Sequence, residues 1–321
     1  MAPGLGWVMA ALLVVGGLVF NVGNVSGAGL GTDAMLGLDP KIGGAISAVI
    51  AIGIFLSRRA GVAVDRIVVV LGALMILLTL YVAITSGPPV GTALKNVVLP
   101  EQVDVLAITT LVGGTVGGYI VYAGAHRLLD SGVSGVRHVR DITRGSVTGV
   151  IVTGIMRIVL FLAILGVVAG GAKLDPARQA ANAFEIAAGE VGLRIFGIVL
   201  WAAAITSVIG ASYTSVSFIT SRTRTSDRTR TMLVVAFIAV STIVFVAAGT
   251  APATLLVFAG AFNGVLLPVG IGILLYVGWR RTDLLQGYHY PKWLLTIGTL
   301  AWLVTLYLAV RSIGPVIDLF K

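Results

Sequence analysis

"TLVGGTVGGYIVYAGAHRL", residues 110–128, is apolar for nearly the length of a membrane crossing, yet it carries two glycine pairs in its middle, Gly113-Gly114 and Gly117-Gly118. A helix in lipid must satisfy its backbone hydrogen bonds internally, and each interior glycine costs roughly 0.8–1 kcal/mol relative to alanine. Close helix packing asks for small residues on one face only. Two adjacent pairs exceed that need. The pattern therefore predicts a span broken at mid-depth, which membrane proteins tolerate where the freed backbone lines a cavity or faces a solute.

The composition around this stretch agrees. Hydrophobic residues make up 57% of the 321-residue chain and charged residues 11%, where soluble domains carry about 25% charged residues. The mean hydropathy is +1.03. A crossing helix needs about 20 mainly apolar residues, and windows of that kind lie near 5–30, 40–56, 64–86, 104–126, 145–170, 193–219, 231–248, 251–279 and 291–315. Trp7, Tyr81, Trp279 and Trp293 stand near window ends, where amphipathic rings sit at headgroup level. The reading is an all-α, polytopic integral membrane protein of about nine transmembrane helices, forming a single transmembrane domain over residues 1–321. Residues 1–10 hold no basic segment of the kind that opens a signal peptide, so the first span is expected to be retained. The connection 171–190 is long enough to form a short helix of its own.

The formal charge of +9 reflects topology rather than nucleic-acid binding. With the windows alternating, Arg58, Arg59, Arg66, Arg127, Arg137, Arg140, Arg144, Arg222, Arg224, Arg228, Arg230, Arg280, Arg281 and Lys292 fall on one side. The other side holds Lys41, Lys95, Lys173, Arg178, Arg194, Arg311 and Lys321. The positive-inside rule makes the first side cytoplasmic. That places the N-terminus inside and the C-terminus outside a bacterial-type cytoplasmic membrane. Arg157 belongs to neither set, because it lies within a span.

No catalytic constellation is present. Cysteine is absent, and His126, His138 and His289 fall at span ends or in loops without a metal-ligand spacing. "GAGLGTDAM", 27–35, follows no strand and lacks the Lys-Ser/Thr ending of a phosphate loop. The chain is read as no enzyme and as needing no cofactor. Its functional signal is polar residues inside spans, which are costly there and tend to face a bundle interior or a pathway. Asn21 and Asn24 stand at i, i+3 in the first span, Asn263 interrupts "VFAGAFNGVLLP", and Thr206, Ser207, Tyr213, Thr214 and Ser215 make the sixth window polar. Gly23, Gly27 and Gly31 repeat at four-residue spacing, as Gly113/Gly117 and Gly114/Gly118 do, the small-xxx-small pattern of close helix contacts.

The segments "VGGTVGGYIVYAGAHRLLDSG", "FNVGNVSGAGLGTDAMLGLDP" and "LWAAAITSVIGASYTSVSFI" resemble the Nramp family of divalent metal transporters, in particular its divergent bacterial branch. The resemblance implies a LeuT-like inverted-repeat fold in which the glycine pairs break the family's helix 6. It also implies that the first span matches the family's helix 3, so that helices 1 and 2, with their Asp-Pro-Gly-Asn motif, have no counterpart and the first repeat is incomplete. By the same resemblance the carbonyl of Gly114 is a metal ligand and Gly117 stands where the family has a methionine thioether. Losing that soft ligand suits a harder ion such as Mg²⁺. Asn21 and Asn24 stand where the family has an acidic pair tied to its proton route.

The expected function is secondary transport of a divalent metal cation (Mn, Fe or Mg class) across the cytoplasmic membrane by alternating access. The expected pathway residues are Gly114, Thr115, Gly117 and Tyr119, faced by Asn21, Asn24 and Asn263. The partners are the ion or another small-molecule substrate and the lipid bilayer, with no nucleic acid. Two alternatives stay open: a permease for a small organic acid, which a neutral glycine-lined cavity would hold, and a truncated, non-transporting membrane protein.

Overall fold

A computed structural model describes residues 3–57, 60–116, 128, 132–220, 225–285 and 287–320. They form ten α-helices and no strand: α1 (Pro3–Leu36), α2 (Pro40–Leu56), α3 (Ala60–Thr85), α4 (Val90–Val98), α5 (Val105–Thr115), α6 (Val139–Ala169), α7 (Gln179–Ile219), α8 (Asp227–Ala247), α9 (Pro252–Arg280) and α10 (Lys292–Asp318). Local chemistry sets several boundaries. Asp39 accepts from the backbone amides of Lys41 and Ile42, with Pro40 opening α2, and Ser226 accepts from Thr229 N at the start of α8. Both are side-chain caps on amides that a first turn leaves unpaired. Lys41 Nζ donates to Ala248 O at 2.9 Å just past the end of α8, a cation at the negative end of the helix dipole.

Against the nine crossings expected, the described residues hold six helices long and apolar enough to span a membrane: α1, α6, α7, α8, α9 and α10. A seventh arises if Val70–Thr85 and Val90–Val98, bent by 102°, are one broken span. The window 40–56 is one helix of only 17 residues, and of the window 104–126 only residues 104–116 are described, holding an 11-residue helix. The short helix expected in 171–190 is found, joined to its span through Gly189, whose φ of 64° only glycine adopts readily.

α1 is the central helix, packed on α2, α7, α8 and α9. Its glycine repeat provides the close approach. A Cβ on Gly23 would lie 2.6 Å from that of Ala259 on α9, one on Gly27 would touch Ala204, and one on Gly31 would lie 2.7 Å from Trp201 N on α7. Two apolar cores flank this axis. Val25, Ala51, Val208, Ile238 and Phe245 belong to the first, between α1, α2, α7 and α8. Val82, Ala163, Phe184 and Phe196 belong to the second, between α3, α6 and α7. α5 and α10 pack on α9, where Trp302 Nε1 donates to Pro268 O at 2.8 Å.

Candidate functional site

The first glycine pair of the opening stretch splits into two roles one residue apart. Gly113 is buried, and a Cβ there would collide with the backbone of Gly260 and Gly264 on α9. Those two glycines in turn pack on the backbone of Thr110 and Thr109. Three glycines thus form the seam between α5 and α9. Gly114 has nothing within 4 Å of where its Cβ would stand. It opens onto a cleft.

That cleft, about 400 Å³, lies among α1, α5, α6 and α9. Its polar lining comes from Asn24 on α1, Thr110 and Gly114 on α5, and Arg157 on α6; Phe20, Leu111 and Leu256 are among its apolar walls. Asn24 Nδ2 and Thr110 Oγ1 are enclosed without a hydrogen-bond partner. Buried polar atoms are nearly always paired in proteins, and these two, on α1 and α5, belong to residues that line the cleft. Leu111 and Arg157 also face an adjoining cavity of about 590 Å³ between α5 and α6, lined by Thr115, Val116 and Phe161.

Of the residues expected to form the pathway, Asn24 and Gly114 share the cleft, and Thr115 lines the neighbouring cavity, its hydroxyl turned back to Leu111 O. Asn21 lies elsewhere. It is fully buried and donates to Ser212 Oγ at 3.0 Å and Ser241 Oγ at 3.1 Å, tying α1 to α7 and α8. Asn263 is also fully buried, donating to Ala259 O on its own helix and to Gly16 O on α1. Gly117 and Tyr119 lie outside the described residues, as does His126. Of the polar run on α7, Thr206 donates to the carbonyls of Ala202 and Ala203, as Ser212 and Ser217 nearby do to Val208 and Thr214, while Ser215 Oγ is buried without a hydrogen-bond partner.

Two cleft residues, Thr110 and Phe20, gave no signal in the sequence, since a threonine and a phenylalanine at helical spacing read as ordinary packing. The donors available to a cation are neutral oxygens: the Gly114 carbonyl, the Asn24 amide oxygen and the Thr110 hydroxyl. Among the described residues no three His, Cys, Asp or Glu side chains stand together as a metal cluster.

Comparison with known proteins agrees with the membrane architecture. The family model for natural resistance-associated macrophage protein-like proteins, Nramp, matches residues 1–314. The chain is 47% identical over 311 residues to the membrane protein YcsG of Bacillus subtilis, covering 97% of this chain and 76% of that one. It is 47% identical over 310 residues to a membrane protein of Haemophilus influenzae, covering 97% and 77%. Both relatives are named as uncharacterized membrane proteins. With a match across nearly its whole length and two relatives this similar, the chain belongs to the Nramp family, a family of membrane transporters of metal ions.

Proposed function

We propose that the chain is a secondary transporter carrying a divalent cation across the cytoplasmic membrane by alternating access, with the cleft among α1, α5, α6 and α9 as its path. The observation that carries this reading is Gly114. Its neighbour Gly113 locks α5 to α9 while Gly114 leaves an open face on the cleft. A backbone carbonyl, an amide oxygen and a hydroxyl are the hard ligands that Mg²⁺ and Mn²⁺ accept. Gly117 and Tyr119, outside the described residues, complete the path on this reading. α2 and the α5 window are then short crossings, giving nine in all. Asn21 and Asn263 hold the bundle around the path, and the excess of basic residues in alternate loops sets the N-terminus inside.

The chain contains no cysteine, so single cysteines report without background. In proteoliposomes of one orientation, Gly114→Cys is expected to react with an impermeant thiol reagent, and a transported divalent cation is expected to slow that reaction several-fold. Thr282→Cys, in the connection before α10, is expected to react from the cytoplasmic side only. Reaction at Gly114→Cys that no divalent cation alters would refute the path, and external labelling of Thr282→Cys would refute the orientation.

A further inference from the structure

Arg157 has no role in cation binding, and its position calls for one. It stands 12 residues before the end of α6, which lies within a 34-residue apolar span. At 1.5 Å per residue that is roughly 18 Å of helix, too far for the side chain to reach the end of the span. Charged groups at such depth face a cavity and meet an opposite charge. Among the described residues Arg157 forms no ion pair: the salt bridges join Lys95 to Glu101, Arg178 to Asp175, Arg194 to Glu190 and Arg281 to Asp283. Instead it lines the cleft that also holds the unpartnered Asn24 Nδ2 and Thr110 Oγ1.

We infer that the cleft binds a small organic carboxylate, with the anion on the Arg157 guanidinium and Asn24 and Thr110 supplying polar contacts to the rest of the molecule. A guanidinium presents paired N–H donors in a plane that matches a carboxylate, a geometry no single ammonium reproduces. About 400 Å³ suits a compact metabolite-sized acid. The carboxylate site is anchored on Arg157, a residue the cation reading does not use, so the two fail separately.

The test is thermal unfolding of the purified protein in a divalent chelator, with acetate, lactate, succinate and citrate as probes and chloride and phosphate as controls. At least one carboxylate is expected to raise the melting temperature saturably in wild type. Arg157→Lys should retain part of that shift and Arg157→Gln none. Without probe, Arg157→Gln should be at least as stable as wild type, since it removes an unpaired charge from the membrane interior. A wild type that no carboxylate stabilises overturns the inference, as does an unchanged shift in Arg157→Gln or an equal shift from chloride and phosphate. A shift by Mn²⁺ or Mg²⁺ without chelator is read separately and bears only on the cation path.

Discussion

Gly113→Leu is expected to prevent stable folding, while Gly114→Ala, one residue on, leaves the melting temperature close to wild type. A Cβ at Gly113 meets the backbone of Gly260 and Gly264, and backbone cannot swing aside as a flexible side chain does. Overpacking of this kind typically costs 1–3 kcal/mol, occasionally more, and leucine adds branches beyond the first clashing atom. Gly114 has open space instead, and substitutions away from packed features stay within about 0.5 kcal/mol. Unfolding followed by intrinsic tryptophan fluorescence in detergent checks both variants. Equal losses at the two positions would mean that α5 does not pack on α9 through Gly113.

Phe184→Ala should be the most damaging core truncation, at about 3–5 kcal/mol. The side chain is 0% exposed and its ring stacks on Phe196 with centroids 4.7 Å apart. It joins the short first part of α7 to the core shared with α3 and α6, so its loss also frees the segment before the Gly189 kink. Lipid cannot fill the space left, because the site faces protein on all sides. Val150→Ala on α6, where the side chain is 73% exposed, is the matched control and should cost under about 0.5 kcal/mol. Similar losses for the two variants would place Phe184 outside the core.

Much of this architecture was legible in the sequence, because lipid leaves the backbone few options. The window 40–56 coincides with α2, the repeat Gly23, Gly27, Gly31 is the contact seam of α1, and the 171–190 connection holds its short helix. What the sequence did not show is rotation. Asn21 and Asn24 share a face by spacing, yet α1 has neighbours on every side, so the 60° between them is enough to give one residue to Ser212 and Ser241 and the other to the cleft. Gly113 and Gly114 part for the same reason. Serines and threonines on α7 looked like a polar interior, but a hydroxyl in a helix can bond the carbonyl three or four residues back, and several do. Arg157 was visible as a charge inside a span; that it lines the cleft with Asn24 and Gly114 depends on how α6 is turned.

The measurement that bears most directly on the central claim is uptake of Mn²⁺, Fe²⁺ and Mg²⁺ into proteoliposomes containing the purified protein, against protein-free vesicles. The account predicts saturable uptake of at least one of these ions by wild type, reduced at least tenfold when Gly114→Val fills the open face of the cleft. Uptake no faster than in protein-free vesicles for every divalent cation tried would contradict it.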